Sequence, residues 1–207
     1  QTPLFDWLIA HKYDIAAVVL KPDTPKGRSK TPVASLIKTK AIERGIPVLQ
    51  PNNSTDLYNE LKMYTDCIGV LASFGRIVPQ NVIDLFEPYG IVNIHPSLLP
   101  RYRGSSPIEA TILSGDSQAG VSLMRLSGAM DEGPVFATHS IELHGTETKF
   151  DLYDKLTRAA CELLQTTLPG IINDEVKATP QKNDDVSYTS RISKSDGMSS
   201  VTTDTAT

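Results

Sequence analysis

The stretch GIVNIHPSLLPRYRG, residues 90–104, opens on an apolar run and then carries two prolines, two arginines and a histidine. GIVNIH reads as a buried strand, and the polar residues behind it as the loop at its carboxyl end. Outward from it, IAAVVL (15–20) and CIGVLA (67–72) are apolar runs of the same kind, too short for free-standing helices, and IPVLQ (46–50) is a short strand. Segments of helical period separate these runs. PLFDWLIAHKYD (3–14) places Leu4, Trp7 and Leu8 on one face, and further helices are expected over about 33–44, 56–63 and 79–86. Repeated strand-helix units with short connections predict an α/β, Rossmann-like fold: a mostly parallel sheet with helices on both faces, whose sites form beyond the carboxyl ends of the strands.

The remainder extends this pattern. KPDTPKGRSKTP (21–32) reads as loop from its prolines and glycine. Ser106-Pro107-Ile108-Glu109 has the form of a capping box with proline at the first helical position, so a helix should run from there to about Ser114. AGVSLMRL (119–126) and PVFATHSIEL (134–143) are strands flanking a tight turn over Gly128–Gly133, and Phe150, Tyr153, Leu156, Ala160, Leu163 and Leu164 mark a long amphipathic helix. From Asn173 the chain turns polar, so residues 1–190 are expected to form one domain and 191–207 a linker or disordered tail. A sheet of this kind normally opens on a strand and its glycine turn, whereas this sequence opens on a helix; its first strand is expected to be missing.

Hydrophobic residues make up 40% and charged residues 21%, the balance of a folded chain. No apolar run approaches the ~20 residues that span a bilayer, and no signal peptide is recognisable, so a soluble, cytoplasmic protein with no membrane contact is expected. Cys67 and Cys161 lie far apart and form no CxxC pair, which argues against a disulfide framework or a zinc site. The net charge of −4 gives no global attraction to nucleic acid. Its distribution differs: between Lys21 and Lys40, Lys21, Lys26, Arg28, Lys30, Lys38 and Lys40 face Asp23 alone, a local charge of +5 suited to phosphates.

Asn93 and His95 are two apart on a strand, so both side chains point to one face. Polar groups sharing a face inside an apolar run are costly unless paired or turned to a site. Strand-end residues bonded to the following loop account for the pair equally well. Pro96 and Pro100 stiffen that loop, Ser97 and backbone amides offer donors, and Arg101 and Arg103 add charge. Asp131, between Gly128 and Gly133, either bends the turn or, if it reaches His95, orients the ring and favours its cationic form. LASFG around Ser73 lacks the first glycine of a nucleophile elbow, His139 and His144 lack metal-ligand spacing, and no dinucleotide or P-loop fingerprint occurs.

NIHPSLLPRYRGSSPIEATILSGD followed by SGAMDEGP resembles the folate-dependent formyltransferase family, whose signature is Asn-x-His, then Ser-Leu-Leu-Pro with a basic continuation, then an aspartate in a D-x-G turn. Asn93, His95, Ser97 to Pro100 and Asp131 match in order. Within the family, KPDTPKGRSK and GIPVLQP are most similar to the members that act on methionyl-tRNA. The resemblance implies a Rossmann-like catalytic domain, normally followed by a C-terminal barrel that is absent here, with 10-formyltetrahydrofolate as formyl donor, the initiator methionyl-tRNA acceptor arm as partner, no metal, and a monomer. It implies Asn93, His95 and Asp131 as catalytic residues, and Ser97, Leu98, Leu99, Pro100, Leu71, Phe74, Arg76 and Ile77 against the folate. Arg28, with Lys26 and Lys30, would meet the tRNA, while Arg101 and Arg103 shape the loop or meet the acceptor. Family members with amino-sugar nucleotides or glycinamide ribonucleotide as acceptor, and a tRNA-binding module without catalysis, remain open.

The chemistry implied is attack of a neutral amine on a formyl carbonyl, which leaves negative charge on oxygen and a proton to remove from nitrogen. Asn93 and cationic His95 would donate to that oxygen, and Asp131 would keep His95 charged and help take up the proton through water.

Overall fold

The computed structural model describes residues 2–25, 31–182 and 184–192. In chain order the elements are α1 (Thr2–Ala10), β1 (Val18–Val19), β2 (Thr24–Pro25), β3 (Pro32–Val33), α2 (Leu36–Glu43), β4 (Val48–Leu49), α3 (Ser54–Leu61), β5 (Gly69–Leu71), α4 (Gln80–Ile83), β6 (Ile91–His95), β7 (Arg103–Gly104), α5 (Pro107–Leu113), β8 (Gln118–Arg125), β9 (Val135–Glu142), α6 (Lys149–Ile172) and β10 (Tyr188–Thr189). The alternation expected from periodicity is present, and the architecture is α/β and Rossmann-like. The strands β1 and β4 pair in parallel, as do β5 and β6. The sheet is nonetheless mixed. Its order is β5-β6-β8-β9, with β8 antiparallel to both β6 and β9; residues 126–134 return the chain directly from β8 to β9 and leave no room for a crossover helix there.

All five residues of β6 are buried. Val92 and Ile94 pack with Leu152, Leu156, Leu163 and Leu164 of α6, whereas Ile91 packs with Leu57, Leu61, Val82 and Ile83 of α3 and α4. Helices thus cover both faces of the sheet, and Asn93 and His95, in phase with Ile91, emerge on the α3–α4 side. The central β8 is buried on both faces, with Leu123 and Met124 wholly enclosed. Helix α6 starts at a reciprocal capping box in which Thr148 and Asp151 satisfy each other's backbone N–H groups.

Four local expectations are corrected. Residues 21–32 are not loop throughout, since β2 and β3 pair as an antiparallel ribbon. Pro32 and Val33 belong to that ribbon, so α2 starts only after Ser35, whose hydroxyl accepts from Lys38 N–H at 3.2 Å. The capping box at Ser106 does not form: the Ser106 N–H donates to Thr189 Oγ1 at 3.1 Å, and Glu109 pairs with Lys149 instead. On α6, Phe150 is 80% exposed and Tyr153 lies at the surface, while Leu152 takes the buried place in phase with Leu156 and Leu163.

Candidate active site

Burial alone requires an explanation at the end of β6. Asn93 and His95 retain only 6% and 4% of their exposure, so their polar atoms must find partners within the fold. Asp131, on the turn between β8 and β9, supplies them. Asn93 Nδ2 donates to Asp131 Oδ1 at 3.3 Å, and His95 Nδ1 lies 3.6 Å from Asp131 Oδ2. The same Oδ2 accepts the Gly104 N–H at 2.8 Å. The three residues singled out from the sequence therefore converge.

The other ring nitrogen of His95 is already used, since Nε2 lies 2.8 Å from the carbonyl oxygen of Tyr102. A carbonyl only accepts, so Nε2 carries hydrogen and Nδ1 is the nitrogen that faces Asp131. Asn93 keeps its second amide hydrogen for another acceptor. A buried amide and an imidazole beside one carboxylate are groups chemically able to stabilise negative charge on oxygen.

Backbone geometry holds this arrangement. Asp131 sits at φ +53°, a left-handed conformation that non-glycine residues seldom adopt. Gly104, at φ +102°, is needed because a Cβ there would lie 2.2 Å from the carbonyl oxygen of Thr189 in the neighbouring β10. The proline loop is pinned by Ser122 of β8, whose hydroxyl donates to Ser97 O at 2.7 Å and accepts the Leu99 N–H at 3.0 Å. Ser97 in turn donates to Arg101 O at 2.6 Å.

The ligand-contact residues implied by resemblance fall into two groups. Leu98, Leu99 and Pro100 line an open cavity of about 470 Å³ together with Val135, Ala137 and Gln181. Phe74, Arg76 and Ile77 line a separate hollow of about 350 Å³ with Asn52 and Leu57, and Ile77 is 81% exposed at its rim. Arg76 donates to Pro51 O at 2.7 Å, which fixes its base against the loop before α3. Leu71 is in register with Asn93 across β5 and β6, so it adjoins that residue. Ser97 is buried within the loop and holds it rather than lining either hollow.

Lys26, Arg28 and Lys30 lie outside the described residues. In their flanks Lys38 pairs with Asp23, the acid already counted in the +5, at 2.5 Å, while Lys40 pairs with Asp6, outside the segment, at 2.6 Å and so takes up one of those charges. The Lys38 hydrogen bond, with one from Gln50, holds the Asp23 carboxyl below its usual range. Arg101 pairs with Asp116 at 3.2 Å, and Arg103 is buried against Gln181, Tyr188 and Glu132, so both arginines shape the loop. Sequence reasoning missed Ser122, Gly104 and Gln181. Only Ser122 carried a signal, as a hydroxyl inside the apolar run of β8. Among the described residues, no cluster of His, Cys, Asp and Glu is suited to a metal ion, and no helix is long and apolar enough to cross a membrane.

Asn93, His95 and Asp131 thus meet at the carboxyl end of β6 in a Rossmann-like sheet. The chain belongs to the Formyl transferase family, whose model matches residues 8–168. Among curated relatives, methionyl-tRNA formyltransferase of Myxococcus xanthus is 39% identical over 186 residues, covering 89% of this chain and 59% of the relative. That of Lachnospira eligens is 35% identical over 192 residues, covering 92% and 61%. The chain thus spans about three fifths of the length of these relatives. Among solved structures, the N-formyltransferase of Helicobacter canadensis with folinic acid and dTDP-3-aminofucose superposes with a TM-score of 0.72 at 23% identity, covering 91% of this chain and 66% of that one. Phosphoribosylglycinamide formyltransferase of Anaplasma phagocytophilum gives 0.72 at 19% identity, covering 90% and 93%. Both share the fold.

Proposed function

We propose that this chain is the catalytic part of an enzyme that transfers a formyl group from 10-formyltetrahydrofolate to the α-amine of initiator methionyl-tRNA. The convergence of Asn93, His95 and Asp131 carries the reading, because it supplies the donors and the proton acceptor that attack of an amine on a formyl carbonyl needs. The relatives that are 35–39% identical share the methionyl-tRNA formyltransferase name, which favours this acceptor over an amino sugar or a glycinamide.

The amine attacks the formyl carbon, and the carbonyl oxygen takes up negative charge. The free N–H of Asn93 and the protonated Nδ1 of His95 donate to it. Asp131 balances the imidazolium and, through a water molecule, takes the amine proton and passes it to the folate nitrogen. As the oxyanion re-forms the carbonyl, the C–N bond breaks and the folate leaves as the neutral amine. The folate lies against Leu71, Phe74, Arg76, Ile77 and the Ser97–Pro100 loop, and Lys26, Arg28 and Lys30 meet phosphates of the acceptor arm. The enzyme acts in the cytoplasm as a monomer without a metal.

The test offers the full-length protein 10-formyltetrahydrofolate together with methionyl-tRNA, an amino-sugar nucleotide or glycinamide ribonucleotide. Formyl-methionyl-tRNA is the expected product. Formylation of the sugar or the glycinamide alone refutes the acceptor, and tRNA binding with no formyl transfer refutes the enzyme reading.

A further inference from the structure

Asp131 holds a left-handed backbone, yet no residue of its own turn supplies a side chain to keep it there. The bonds come from the segment that follows α6. Gln181 Nε2 donates to the carbonyl oxygens of both Asp131 and Gly133, each at 2.8 Å. Bridging the carbonyls of residues i and i+2 with one amide fixes the peptide plane before Glu132 and the one after Gly133. It thereby fixes the direction in which the Asp131 side chain leaves the backbone.

The orientation of Gln181 is itself determined. Its Oε1 accepts from Arg103 Nε at 3.1 Å and from Nη2 at 2.8 Å. A flipped amide would set its oxygen against two carbonyls and its NH2 against a guanidinium, so only one orientation is compatible with these neighbours. Arg103 is buried, and its Nη1 donates to the Tyr188 hydroxyl at 2.8 Å, which donates in turn to Glu132 Oε1 at 2.6 Å. Arg103 also belongs to the strand that ends in Gly104, whose N–H holds Asp131 Oδ2. One amide therefore ties the backbone of the carboxylate to the strand that receives it.

We propose that Gln181 is a positioning residue: through Arg103 it sets the Asp131 carboxylate against His95 and Asn93, without touching any reacting atom. The kinetic arm of the test rests on the formyl-transfer reading, whereas a spectroscopic arm does not. In the full-length protein, the Gly104 amide resonance in a ¹H–¹⁵N spectrum reports the bond to Asp131 directly. Gln181→Leu removes all four bonds, and Gln181→Glu keeps the anchor on Arg103 but turns acceptors toward two carbonyls. Both are expected to move the Gly104 resonance toward its position in Asp131→Asn, and to lower kcat for methionyl-tRNA formylation about 10–100-fold with both KM values within two-fold. A folded Gln181→Glu protein with unchanged Gly104 resonance and kcat overturns the proposal, as does a loss confined to KM. If the resonance moves and the parent protein formylates no acceptor, the positioning role stands and the formyl-transfer reading fails.

Discussion

Asp131→Asn changes almost no volume, so its effect can be worked from hydrogen bonds alone. The carboxylate faces three donors: Gly104 N–H at 2.8 Å, Asn93 Nδ2 at 3.3 Å and His95 Nδ1 at 3.6 Å. An amide has one oxygen. If that oxygen stays on Gly104, the shortest contact, the new NH2 stands against the NH2 of Asn93, and Asn93 must turn away from the reaction centre. Losing one oxyanion donor costs ~2.7–4 kcal/mol, or about 10²–10³ in kcat. His95 also loses the negative charge that faces its Nδ1 at 3.6 Å. The two effects act on the same transition state and are not additive, so a loss of about 10³-fold is expected. The donor-on-donor contact should cost the fold ~1–3 kcal/mol, about 2–10 °C in Tm. Single-turnover formyl transfer at saturating substrates reads the first number and a thermal melt the second. A folded variant whose kcat stays within ten-fold of the parent would show that Asp131 does not organise the donors.

Three further outcomes follow from the geometry. Ser122→Ala strips two bonds from the proline loop and leaves Leu99 N–H and Ser97 O without that partner; a loss of about 1–3 kcal/mol in denaturant unfolding is expected, and no change in midpoint would contradict the pinning role. Gly133→Ala places a Cβ 1.9 Å from the carbonyl oxygen of Arg125, which cannot swing aside, so destabilisation at or above about 3 kcal/mol is expected, whereas Gly115→Ala, at φ +62° in open space, should cost only about 1–2 kcal/mol; equal effects in a urea titration would count against the clash. Bonds from the Lys155 ammonium and the His144 N–H hold the Glu147 carboxyl down at about 2, against an ordinary 4.5, so its contribution is complete above that ordinary value and lost as pH falls through about 2. The Tm difference between the parent and Glu147→Gln should therefore be full at pH 7 and shrink below pH 4.5; a gap that is constant from pH 7 to 3 would refute the assignment.

The sequence made the strands and the covering helices legible wherever period and burial coincide, as in GIVNIH and the Leu156–Leu164 face of α6. It misled where a local motif had a distant competitor. Ser106 and Glu109 have capping-box chemistry, but Thr189 takes the N–H that Glu109 would have bonded. Phe150 looked like core because it is aromatic, yet the helical phase that buries Leu152 turns it outward. Asn93 and His95 were readable as a pair because a strand fixes their common face. Asp131 was tied to them only by resemblance, since no local spacing encodes a contact across the sheet. Gln181 and the two-residue strand β10 were illegible for the same reason: a single glutamine in a polar segment gains meaning only from the arginine it meets.

The pairing of β10 with β7 also orders events in time. Synthesis proceeds from the amino end, so Asn93 and His95 leave the ribosome first, Asp131 later, and Gln181 and Thr189 only 78 and 86 residues after the Arg103 they meet. A nascent chain that ends before this segment holds Asn93, His95 and Asp131 but lacks the bonds from Gln181 and Thr189 that arrange their surroundings. The site thus cannot close until this segment has been made, and a chain that stops short of it would carry its polar groups unarranged.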